Sequence, residues 1–235
     1  MGLYRKILKG KSRIYDNFLT NPKVVKISMM MALLVWFFAL IGGYIVAQFD
    51  PDGYNIIDNW ISDMGSFNHT PLPYFLDYGA MATAILLIPA NFYLEKTIAP
   101  SPINKGDGEF PRMMYRLSGC GAYHMFMGIF GFFMIGLFSE DRSTPLGLHW
   151  IFSHVVFFGL IMGTFFYGLL ILFYKTDIPR LLGLYMVVVP FITGIIFLIT
   201  YVPFWEWMML FTLMIWMIPV NFFLVKNIIK EEEKQ

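Results

Sequence analysis

Four ionisable side chains stand inside stretches that are otherwise apolar: Asp77, His124, His149 and His154. Such groups are costly within hydrocarbon and turn toward a protein interior or a water-filled cavity. His149 and His154 are five residues apart, about 140° around a helix, so they do not form the i,i+4 pair of a metal site. Further polar groups gather between the apolar stretches. The segment 50–71 carries Asp50, Asp52, Asp58, Ser62, Asp63 and His69. Glu140, Asp141 and Arg142 form a second group, and Glu206 stands between Trp205 and Trp207. The run Asn59-Trp60-Ile61-Ser62-Asp63-Met64-Gly65 is the most distinctive. Ser and Asp are capping types suited to a short re-entrant helix, and Gly65 permits a tight turn. Ser62, Asp63, Asp77, His149, His154 and Glu206 are the candidate ligand-binding residues. The acids suit an amine, and Trp60, Trp150, Trp205 and Trp207 offer either cation–π faces or an ordinary interfacial belt. Asn68-His69-Thr70 matches a glycosylation sequon, weakened by Pro71.

The elements that must position these groups follow from composition. Of 235 residues, 57% are hydrophobic and 14% charged, against roughly 25% charged in a soluble domain. Such a chain needs lipid as part of its solvent. Uncharged stretches of the length of a span, about 20 residues, lie between consecutive charges: 27–49, 117–139, 148–174, 181–205 and 207–225. A sixth, 72–94, is interrupted only by Asp77. The expected fold is an all-α, polytopic bundle of six transmembrane helices, with no cleavable signal peptide ahead of it. Lysine and arginine fix its orientation. With the N-terminus inside, 16 of the 17 lie on the cytoplasmic side and only Arg142 lies outside, among seven loop acids. Both termini are then cytoplasmic. Residues 1–26 form a basic cytoplasmic segment, read as a topogenic flank or an interfacial helix. Residues 27–226 form the transmembrane domain and 227–235 a charged tail. A net charge of +1 gives no global field for nucleic acid. A lone cysteine, Cys120, excludes an internal disulfide and a cysteine-built metal site; it reads as a small packing residue.

Small residues mark helix contacts in lipid. Gly159 and Gly163 make a GxxxG in the fourth span, read first as an intramolecular contact and second as a homo-oligomer contact. Ala80 with Ala84, and Gly128 with Gly131, are similar. Ile88-Pro89-Ala90-Asn91-Phe92-Tyr93-Leu94 recurs as Ile218-Pro219-Val220-Asn221-Phe222-Phe223-Leu224. Each proline removes a backbone donor, and each asparagine can bond freed carbonyls or cross to a neighbour. Paired kinks are expected at the inner ends of spans two and six.

The Ser62-Asp63-x-Gly65 loop after span one, the Gly-rich third span and the fourth span with His149 and His154 occur in an order that resembles a known six-helix family. That family holds the GPI-lipid-remodelling factor, the damage-regulated autophagy modulators and the Sfk proteins, and it has a related prokaryotic group. The resemblance implies a six-span bundle and lipid handling, with Ser62, Asp63 and His154 as site positions.

Four functions are compatible with these residues. The first is a lipid-binding protein with a polar outer-leaflet pocket, which requires Asp63, Asp77, His149 and Glu206 to converge. The second is a zinc-dependent intramembrane lipid hydrolase, similar in Ser/Asp/His content to lipid amidases but lacking a His-x-x-x-His spacing; zinc would need three protein ligands and a water. The third is a transporter or channel, with Asp77 and His124 relaying protons. The fourth is a scaffold or regulatory subunit, whose bundle would be closed and free of polar cavities.

Overall fold

The computed structural model describes residues 14–99 and 112–232. The interleaved apolar and basic residues at 3–13, much of the basic loop beyond residue 99, and the end of the tail lie outside the described residues. Six helices are long and apolar enough to cross a membrane: α1 (Pro22–Ala47), α2 (Tyr74–Ile98), α3 (Arg112–Leu137), α4 (Leu148–Phe173), α5 (Arg180–Thr200) and α6 (Pro203–Glu232). The described chain is all-helical, a six-helix bundle of a multi-pass integral membrane protein. Large apolar side chains such as Leu34, Phe38, Ile41 and Leu198 are exposed on its outer surface, where lipid solvates them.

Local chemistry sets the helix limits. Asn21 Oδ1 accepts the Lys23 and Val24 amides at 3.0 and 3.4 Å, with Pro22 at the first helical position. Gly147, at φ 66°, precedes α4. Tyr201, at φ 48°, closes α5, and Pro203 opens α6. The last turn of chain between spans therefore falls at 201–202 rather than at Glu206. Glu206 belongs to the first turn of α6.

Consecutive helices pack side by side, and α6 returns to touch α1 and α4. α3 and α4 pack most extensively, and closely. A Cβ on Gly159 would stand 2.3 Å from the Gly128 amide nitrogen, and one on Gly163 would stand 2.7 Å from Met125. The fourth-span GxxxG is thus occupied within the chain by α3. Cys120 differs from its reading as a packing residue: it lies on the exposed face of α3, where an apolar run needs no protein neighbour because lipid serves.

The two proline-asparagine repeats lie inside unbroken helices α2 and α6 and differ in what they bond. Asn91 Nδ2 donates to Ala122 O of α3 at 3.1 Å, and Tyr167 of α4 donates its hydroxyl to Asn91 Oδ1 at 3.4 Å. Asn221 instead lines a cavity.

An even number of crossings puts the connecting segments 48–73, 138–147 and 201–202 at one end of the bundle. That end holds all the candidate acids.

Candidate functional site

The segment 50–71 folds back over the bundle as a loop whose core is a single 3-10 turn, Ile61–Gly65. Asp63 Oδ2 accepts the Trp60 amide at 2.8 Å, which starts the turn. The Tyr54 hydroxyl donates to Trp60 O at 2.7 Å, and Trp207 Nε1 donates to Asn59 O at 3.0 Å. Glu206 Oε2 accepts the Ile61 amide at 2.7 Å. The loop is therefore held from below by the last helix. Gly65 is needed for proximity rather than for a turn with positive φ: a Cβ there would meet Asp77 Oδ1 at 2.8 Å.

Two groups of ionisable residues result. In the first, Arg142 Nη2 meets Asp77 Oδ2 at 2.8 Å and the Gly136 carbonyl at 2.8 Å, while its Nε donates to Leu137 O at 3.2 Å. One guanidinium neutralises a carboxylate that is 3% exposed and caps the last carbonyls of α3. Asp77 sits in the first turn of α2. Next to this pair, Asp141 accepts the Ser66 hydroxyl at 2.7 Å and the Phe67 amide at 2.6 Å. Together these bonds clasp the two longer connecting segments.

The second group is Ser62, Asp63, His149 and Glu206. His149 Nδ1 lies 2.8 Å from the Phe138 carbonyl. A carbonyl only accepts, so Nδ1 carries the hydrogen, and in the neutral ring Nε2 is a bare lone pair. That Nε2 is buried with no partner among the described residues. Glu206 is 7% exposed, and its second oxygen has no bond among the described residues, nor has the Ser62 hydroxyl. Burial holds the Asp63 carboxyl above the usual carboxylate range, partly offset by the Trp60 amide. Burial and the neighbouring Asp63 charge do the same for Glu140.

Two cavities meet at this group. One is a shaft lined by α1, α2, α3, α4 and α6 and partly open to the surface near the exposed Ile218, with Ser62, Asp77, His149 and Glu206 at its polar end. Below them its wall is apolar, from Trp36, Ala80 and Val156 to Leu213 and Met217, and it reaches Asn221. The other is a cleft between α4 and α5, with about 700 Å³ open to the centre of a water molecule. Its polar end holds Ser62, Asp63, Glu140, His149, His154 and Glu206. Its walls include Phe158 and Leu198, which are exposed on the lipid side of the bundle. Ser62, His149, Ser153 and Glu206 line both cavities. The structure thus gathers five of the six candidates around the cleft and leaves Asp77 on the shaft alone, tied to Arg142.

His154 Nδ1 bonds Trp150 O at 2.9 Å, and its ring lies 4.3 Å from that of Trp150. His124 bonds Cys120 O at 2.8 Å and packs among Tyr123, Phe158 and Phe166, outside both cavities. Trp60 and Trp150 line the cleft, whereas Trp207 is buried against Tyr44 and Phe211. Ser153 was not singled out from sequence. Its signal is the i+4 spacing from His149, whose carbonyl its hydroxyl bonds at 2.9 Å.

Among the described residues no three His, Cys, Asp or Glu side chains come together to hold a metal ion, so zinc finds no donor set here. No family model, no curated protein and no solved structure matches the chain.

Proposed function

We propose that this membrane protein binds a lipid whose polar head sits among Ser62, Asp63, His149 and Glu206, with the acidic end of the bundle on the outer side of the membrane. The resemblance to the lipid-handling six-helix family points the same way. The observation that carries the reading is the junction itself. His149 Nε2, a buried acceptor without a partner among the described residues, and Glu206, whose Oε2 alone accepts the Ile61 amide, stand where an apolar cleft exposed to lipid ends. Leaving the buried His149 nitrogen unbonded costs about 1–3 kcal/mol, and a head that donates a hydrogen bond removes that cost. A closed scaffold has no use for such a junction. A proton relay between Asp77 and His124 lacks a path, since Asp77 is bound to Arg142 and His124 lies apart.

The test is lipid retention. The protein is moved from membrane into nanodiscs and then ejected for native mass spectrometry. The wild type is expected to retain a bound lipid through detergent washing. Glu206→Gln keeps an acceptor for the Ile61 amide but loses the charge, and is expected to lower occupancy about tenfold, equivalent to about 1.4 kcal/mol. His124→Leu, outside both cavities, is the control and leaves occupancy unchanged. Equal occupancy in all three proteins overturns the proposal.

A further inference from the structure

We infer that the shaft holds one extended acyl chain of the bound lipid, and that this lipid has a small, phosphate-free head donating hydrogen bonds, of the diacylglycerol or ceramide class. This rests on the head position proposed above and adds the place of the tail and the chemistry of the head.

The dimensions specify the occupant of the shaft. Glu206 and Asn221 mark its two ends on α6 and are 15 residues apart, about 22 Å along the helix. About 110 Å³ is open to the centre of a water molecule along it. Averaged over that length, and with a water radius of about 1.4 Å added back, the mean bore radius is about 2.7 Å. A methylene has a contact radius of about 2 Å, so one chain fills the bore and two do not. Chains of one leaflet span about 15 Å, half the hydrocarbon core, so a membrane acyl chain fits within the shaft lengthwise.

The wall is the right kind of surface. Apart from the polar end, Thr83 and Asn221, the lining is apolar. Moving a chain from lipid into it gains no hydrophobic free energy. The gain is dispersion: wall atoms such as those of Ala80, Val156 and Leu213 acquire the contacts that an empty bore denies them.

The polar end selects the head. Asp63, Glu140 and Glu206 are acids, and the bases at this end are already engaged, Arg142 by Asp77 and His69 by Asp50. A phosphate brought to this junction would face three carboxylates with no unpaired lysine or arginine beside it among the described residues, a like-charge contact that rejects it. Hydroxyl or amide hydrogens meet Glu206 Oε1 and His149 Nε2 instead. A second chain, where the lipid has one, remains in the cleft between α4 and α5.

The experiment uses the whole protein in nanodiscs containing a diacylglycerol with a diazirine near the end of one chain. Irradiation is followed by mapping of labelled peptides. Leu213 and Val156 line the shaft and are 2% and 4% exposed, so bulk lipid does not reach them. Labelling of these residues is the expected result. Ala80→Phe narrows the bore and is expected to reduce their labelling about tenfold; where that variant does not fold, Met214→Phe narrows the same bore from α6. A phosphatidic acid with the same chain is expected to leave them unlabelled. Labelling confined to cleft residues such as Phe158 and Leu198 overturns the shaft assignment and leaves the head site standing. Equal labelling of Leu213 by the phosphatidic acid overturns the head assignment. Diffuse labelling of lipid-facing residues alone, unchanged by Glu206→Gln, removes the head site and with it this inference.

Discussion

Asp77 and Glu206 are both buried acids in the first turn of a helix at the same end of the bundle, yet the protein treats them differently. Asp77 has a guanidinium at 2.8 Å, and that guanidinium also donates to two α3 carbonyls. Glu206 has one backbone amide and an oxygen left over beside a cavity. The contrast teaches that burial of a charge does not by itself mark a site. What separates a fastener from a binding group is whether its hydrogen-bonding capacity is spent within the chain.

Removing a member of each group should separate the two roles. Asp77→Ala leaves Arg142 unpaired beside Gly136, and is expected to cost about 3 kcal/mol, at the low end for a buried pair because Arg142 is partly exposed. Thermal unfolding in detergent measures it. Glu206→Gln should change the same midpoint little while lowering lipid occupancy. If both variants lose stability equally, the distinction between the two acids fails.

The same contrast exists at the other end, between the two copies of the Pro-x-Asn repeat. Asn91→Leu removes the donor to Ala122 O and the acceptor of the Tyr167 hydroxyl, and is expected to cost about 1–2 kcal/mol. Asn221→Leu faces the shaft and should fall within about 0.5 kcal/mol of wild type. Chemical denaturation of the two variants side by side checks this. Equal losses would show that both asparagines are structural.

The smallest effect is that of pH. Burial raises the pKa of Asp63 and of Glu140, so both take up protons on acidification before ordinary carboxylates do. Protonation removes acceptors from the junction, and lipid occupancy should fall severalfold as pH drops through that window. The stability term has the opposite sign. Because the folded pKa of Asp63 lies above its unfolded value, the folded state binds the proton more readily, and its contribution to stability increases as pH falls. Occupancy and unfolding midpoint measured across one titration should therefore diverge, and Asp63→Asn should flatten that part of both curves contributed by Asp63.

Much of the frame was legible in the sequence because it depends on short-range quantities. Charges bracket each span, and the helices observed follow those brackets closely, except where Tyr201 and Pro203 moved the last turn and took Glu206 into a helix. The GxxxG of Gly159 and Gly163 was legible as a contact. Its partner, Gly128, became visible only in three dimensions. The site was less legible for the same reason. Arg142 was conspicuous as the lone base among acids, but nothing local assigns it to Asp77, 65 residues away. His149 and His154 share a spacing that says little. The carbonyl of Phe138 settles which nitrogen of His149 is bare, and that carbonyl belongs to another segment. The shaft has no sequence signature, since its wall residues are individually ordinary core residues.

The Ile61 amide and the Glu206 carboxylate that accepts it are 145 residues apart. A ribosome building this chain finishes the early loop long before it makes the acid on which that loop rests. Five helices can enter the bilayer while the pocket has no floor, and the sixth arrives carrying it. Until α6 is in place the Ile61 amide lacks this acceptor, so the loop and the acid beneath it are made far apart in time.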